Sequence, residues 1–177
     1  MMRMKSLLAA LLLTSLVLMV GCCDMLGENV CERGFAKPYD PMVALKKAGV
    51  QIILAGETYT IVIPSDRLFN PGSANFSKQG FTILTSLCVW LRNYETATMK
   101  VAAYTDNVGS AVRNKALSEK QAQNLAAYLT DMKLDARIIY AVGYGSARAV
   151  GANDLASGRA FNRRVEIRFR HLLPPVY

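Results

Sequence analysis

The stretch "AYTDNVGSAVRNKALSEKQAQNLAAYL", residues 103–129, decides the fold. It opens on apolar residues suited to a strand and halts at Gly109-Ser110. It then places Leu117, Gln121, Leu125, Tyr128 and Leu129 along one side of a helix. A strand that runs straight into an amphipathic helix puts the junction residues, Thr105 and Asp106, at the strand's exit. By residue type alone, the commonest role of such an Asp is to accept from nearby backbone amides in a turn. The question is whether its carboxylate also faces outward.

The flanks extend the pattern in both directions. "VQIILAGETYTIVIP" (50–64) reads as two strands joined by a hairpin at Ala55-Gly56-Glu57, and "SDRLFNPGSANF" (65–76) as a turn-rich loop. Ser77 suits the cap of a helix running to about Tyr94, with Phe81, Leu84, Leu87, Cys88 and Leu91 as its apolar stripe. "TMKVAAY" (98–104) is a buried strand, and the second helix spans roughly Ser110 to Lys133. "ARIIYAVGY" (136–144) is a further strand, residues 145–162 a long polar loop, and "RRVEIRFRH" (163–171) a closing strand. In that last strand Val165, Ile167 and Phe169 alternate with Glu166, Arg168 and Arg170, which predicts an apolar face and a solvated charged edge. The order predicts an α+β sandwich with helices packed on one sheet face.

The N-terminus has a different character. Arg3 and Lys5 precede the apolar run Leu7–Val20, which is followed by Gly21 and Cys22. That is the pattern of a secretory signal, and the run is shorter than the roughly 20 residues a membrane-crossing helix needs. Met19-Val20-Gly21-Cys22 resembles a bacterial lipobox, implying cleavage before Cys22, its acylation and retention in the outer membrane. The expected organisation is a signal peptide over 1–21, a tether over 22–45 and one periplasmic domain over 46–177. The net charge of +8 falls to +6 once Arg3 and Lys5 leave, an excess that favours anionic surfaces. Cys23 and Cys31 could close a short loop in the tether, and Cys88 reads as a small buried hydrophobe. No cysteine spacing suggests a metal site, and nothing suggests a cofactor.

Other function classes find little support. The sole histidine, His171, has no serine or cysteine motif beside it, so nucleophilic catalysis lacks its constellation. "GYGSARAVG" (143–151) leads into a polar loop instead of a helix, which argues against a dinucleotide site. Nucleic-acid binding would suit the basic last third but not an exported chain. The reading is therefore a non-enzymatic binding or scaffolding module.

Particular residues then make the resemblance specific. Thr105-Asp106, Gly109, Asn114, Leu117-Ser118, Ala122, Tyr128-Leu129, "GYGS" at 143–146 and "GRAFNRRVEI" at 158–167 resemble the OmpA-like domain of peptidoglycan-associated lipoproteins over about residues 60–171. "LKKAGVQIILAGETYTIVIPSDRLF" (45–69), on so small a chain, is similar to the OmpA-family lipoprotein of Dot/Icm (type IVB) secretion systems. The resemblance implies a β/α/β/α/β-β sandwich with a mixed sheet. It further implies an outer-membrane lipoprotein anchored through Cys22, a domain that binds the diaminopimelate of a peptidoglycan stem peptide, and secretion-complex subunits as partners. In such domains an acidic residue accepts from the ligand ammonium and an arginine forks onto its carboxylate. Asp106 matches the acid. The arginine position is Gln121, with Lys120 beside it, and the remaining implied site residues are Thr105, Asn114, Asn162 and Arg163. Loss of the fork predicts binding weakened about tenfold or more unless Lys120 or an arginine of the C-terminal part stands in.

Overall fold

The computed structural model describes residues 39–172 apart from Asp135. The expected signal peptide, the expected acylation site Cys22, the possible Cys23–Cys31 loop and most of the expected tether lie outside the described residues. The elements, in order, are α1 (Pro41–Lys47), β1 (Gln51–Ala55), β2 (Thr58–Pro64), α2 (Ser65–Leu68), α3 (Lys78–Leu91) and β3 (Thr96–Tyr104). They continue with α4 (Ala111–Asp131), β4 (Ala136–Gly143), α5 (Ala156–Asn162) and β5 (Arg164–Arg170). The strands form one mixed sheet ordered β1-β2-β5-β3-β4, in which β3 and β4 alone run parallel, joined by α4. This is the expected α+β fold.

Burial explains the layering. Ile61 and Ile63 of β2, Met99 and Val101 of β3, and Val165, Ile167 and Phe169 of β5 are buried together with Leu84, Leu87 and Leu91 of α3 and Leu125 and Leu129 of α4. Alternating strand residues thus supply one wall of the core and the helical stripes the other. Ser77 caps α3 by accepting from the Gly80 amide at 2.9 Å. Gly56, with φ of +60°, opens the two-residue loop between β1 and β2.

Four expectations change. The charged side of β5 is solvated only at Arg168 and Arg170: the strand lies between β2 and β3, and Arg164 and Glu166 are each only 6% exposed. Strand order is a long-range property, invisible to alternation along a single strand. Residues 145–162 are not all loop, because "ASGRAFN" closes as the short helix α5. Phe81 turns outward from the α3 stripe, half exposed, and meets Phe76 and Tyr128 edge to face. Finally, the compact unit begins at Asp40, which caps α1, and Leu45 is completely buried, so residues 40–45 fold with the domain.

Candidate functional site

The junction read from the sequence is held at its backbone. The Thr105 amide donates to the Gly145 carbonyl at 2.8 Å, tying the exit of β3 to the exit of β4. Asn114, one turn into α4, donates its side-chain amide to the carbonyls of Asp106 (3.2 Å) and Val108 (3.1 Å). Gly109 has φ of +93°, which a side chain would resist, and Ser110 caps α4 through the Arg113 amide at 3.2 Å. Packing against α4 is close enough that a Cβ on Gly143 would lie 2.2 Å from the Glu119 nitrogen. The 105–110 turn is therefore fixed from both sides before any ligand arrives.

On this frame the Asp106 carboxylate divides its two oxygens. Oδ1 accepts from the Val108 amide at 3.0 Å, the expected turn bond, while Oδ2 accepts from Arg163 Nη1 at 2.7 Å. Arg163 extends its other donors to Asp66: Nε reaches Oδ1 at 2.9 Å and Oδ2 at 3.0 Å, and Nη2 reaches Oδ2 at 2.7 Å. One guanidinium thus bridges two carboxylates from distant parts of the chain. The bonds to Asp66 first, and then to Asp106, push its pKa above the ordinary arginine value, against the opposing effect of partial burial. Exposure falls from 55% at the Asp66 side chain through 33% at Arg163 to 11% at Asp106, so the trio runs from solvent into the domain.

It borders an open cavity of about 580 Å³, which Thr105, Asn70, Arg113, Asn114, Gln121 and Arg159 also line. Thr105 donates its hydroxyl to the Asp106 carbonyl at 2.9 Å, so its role is to brace the turn. Gln121 is buried at the cavity wall. Its Nε2 donates to the Ser73 carbonyl at 2.9 Å, and Asn124 holds the Ala74 carbonyl in the same way at 2.8 Å. Where the family pattern has an arginine, this chain has an amide that clamps the 70–76 loop. Gln121 Oε1 is buried without a hydrogen-bond partner among the described residues.

Two expected site residues do not line the cavity. Lys120 is exposed and outside it, as the roughly 100° turn from one helical residue to the next requires. Asn162 is completely buried and saturated: Oδ1 accepts from the Val150 and Gly151 amides, and Nδ2 donates to Gly151 O and Asn153 Oδ1. It organises the loop before α5. Conversely, Asp66 and Arg113 belong to the cavity and escaped the sequence reading. Asp66 sits in what looked like an ordinary polar turn. Arg113 could have been suspected, since a cation in a helix's first turn opposes the dipole.

Similarity to known proteins fits this geometry. The OmpA family model matches residues 68–163. The chain belongs to the OmpA family. The probable lipoprotein YiaD of Escherichia coli K12 is 32% identical over 123 residues, covering 70% of this chain and 56% of that protein. Outer membrane protein A of Bordetella avium is 32% identical over 107 residues, covering 60% of this chain and 55% of its own. The chain thus spans about half the length of the curated relatives it matches. Among solved structures, the cell wall anchor of the T6SS from Pseudomonas aeruginosa superposes with a TM-score of 0.66 at 27% identity, covering 77% of this chain and all of that one. The periplasmic domain of Helicobacter pylori MotB, at 18% identity and a TM-score of 0.62, shares the fold.

Proposed function

We propose that this OmpA-family domain grips peptidoglycan non-covalently, taking the zwitterionic centre of a diaminopimelate stem peptide into the cavity beside Asp106. The observation that carries the reading is the placement of the Asp106–Arg163–Asp66 trio at that opening. Both Asp106 oxygens and Asp66 Oδ1 accept one bond each and keep a second lone pair, so the two acids can still accept from a ligand ammonium while Arg163 holds them in place. Fixed partners on a fixed turn are the condition for binding without reorganisation.

Within the same reading, acylated Cys22 anchors the chain to outer-membrane lipid, and a tether of about 20 residues can extend several nanometres to the wall. The multiply acylated cysteine of this class is needed, because a single chain binds membranes only marginally. The finer role is to brace an envelope-spanning, type IVB-like secretion complex between membrane, wall and neighbouring subunits. Tethering the outer membrane to the wall without such a complex is the simpler form of the same activity. A scaffold that contacts only proteins is the second reading, and the Gln121 substitution favours it.

The deciding experiment is co-sedimentation with isolated sacculi. Wild-type protein is expected in the pellet and Asp106→Ala in the supernatant; wild type left in the supernatant overturns wall binding in favour of the protein-only scaffold. Independently, Cys22→Ser is expected to leave the membrane fraction, and its retention there would rule out the lipid anchor.

A further inference from the structure

We propose that Arg113 is the carboxylate-binding residue of the cavity, a role that moves from position 121 to the opposite end of the same stretch of α4. The inference rests on the wall-binding reading and names the group that makes it work. Three guanidiniums and two carboxylates line the cavity. Arg163 commits Nε, Nη1 and Nη2 to Asp66 and Asp106. Arg159 is half-buried and commits Nη1 to the carbonyls of Asn153 (2.8 Å) and Asp154 (2.9 Å). Arg113 is exposed, and among the described residues its side chain makes no ion pair and no hydrogen bond. Among the described residues lining the cavity it is the arginine with no donor engaged, free to turn either edge of its planar fork to a carboxylate, whereas Arg159 is pinned at Nη1.

Other cations near the helix are already engaged or lie outside the cavity. Lys115 binds the Gly143 carbonyl at 2.6 Å and Glu119 at 2.8 Å, and Lys120 lies outside the cavity. Gln121 is neutral, its Nε2 is held on the Ser73 carbonyl and offers no charge or guanidinium fork, and its free oxygen would repel a carboxylate. Helix stability gives no reason for an arginine at position 113. It is the third residue of α4, at the positive end of the dipole, in a first turn with no acidic residue to offset it. Eight residues separate it from Gln121, about 12 Å of helix rise, so the ligand carboxylate is drawn away from the Ser73 loop and toward the 106–110 turn. Ammonium and carboxylate of one amino-acid centre then meet Asp106 and Arg113 at the same end of the cavity.

The test is calorimetry on the full chain with two synthetic probes: the stem tripeptide ending in diaminopimelate, and the same peptide with the carboxylate of the zwitterionic centre converted to a carboxamide. Arg113→Ala is expected to bind the acid peptide about tenfold or more weakly, and Arg113→Lys to fall between it and wild type. The amide peptide is expected to bind wild type as weakly as the acid peptide binds Arg113→Ala, with no further loss in that variant. Unchanged melting of Arg113→Ala shows that folding is not the cause. If Arg113→Ala binds the acid peptide like wild type while Asp106→Ala does not bind, Arg113 is eliminated and the wall-binding reading survives. If wild type binds neither peptide, both fall.

Discussion

Arg163 and Arg164 are neighbours in the chain with opposite employment. Arg163 opens onto the cavity, one-third exposed, shared between Asp106 and Asp66. Arg164 starts β5 on the sheet face away from the main core. There its Nε meets Glu166 Oε1 at 2.8 Å, and its guanidinium lies 3.9 Å from the Tyr104 ring centroid. Glu166 also accepts from Arg168 Nη2 at 3.0 Å and from the Tyr104 hydroxyl at 3.4 Å, and the side chains of Arg164 and Glu166 are 7% and 8% exposed. Both clusters are arginine–carboxylate networks. The first keeps lone pairs beside the cavity of about 580 Å³; the second borders a smaller cavity of about 370 Å³, but its Arg164 and Glu166 are buried and bonded to each other, so burial and not pairing separates a binding site from a structural element.

That contrast makes unequal predictions. Glu166→Ala strands a buried guanidinium and should cost about 3–5 kcal/mol of stability, read from urea unfolding midpoints. Asp106→Ala leaves Arg163 its partner Asp66 but orphans the Val108 amide, so the cost should be about 1–2 kcal/mol, alongside loss of sacculus binding. Asp66→Asn, at a half-exposed carboxylate, should cost less than about 1 kcal/mol and be further muted by salt. Equal losses at Glu166 and Asp66 would erase the distinction between the closed and the open network.

Local chemistry made much of this legible before the structure. The hairpin at Gly56, the Ser77 cap, the β3–Asp106–α4 junction and the alternation of Val165, Ile167 and Phe169 all declare themselves within a few residues. What stayed hidden depends on long-range neighbours. Nothing near Glu166 says that β2 and β3 will flank its strand, so its side reads as solvated. Nothing in "SDRLF" says that Asp66 will meet an arginine 97 residues later. The Gln121 departure was visible as a missing cation, but its replacement task, holding the Ser73 carbonyl, required the loop to be placed. The helix α5 lacks a side-chain cap bond and was therefore invisible to capping logic.

The smallest effect tests the closed region from its surface inward. Tyr104 and Tyr144 stack with ring centroids 5.0 Å apart, yet their phenols shift in opposite directions. Burial, and then the charge of Glu166, raises Tyr104, whereas the bond from Lys100 Nζ at 2.9 Å lowers Tyr144. Following phenolate formation by ultraviolet absorbance, with Tyr144→Phe as the subtraction, Tyr144 should ionise below the ordinary value of 10.0 and Tyr104 above it. The linked stabilities have opposite signs. The Tyr104 contribution is complete below the unfolded value and is lost as pH rises through its folded one; the Tyr144 contribution is complete above the unfolded value and is lost as pH falls through its folded one. Lys100→Met should therefore move the Tyr144 titration upward and leave stability at neutral pH almost unchanged. A shift of both tyrosines together would mean that the stacked pair titrates as one unit, and that the boundary between the closed network and solvent lies outside Tyr144.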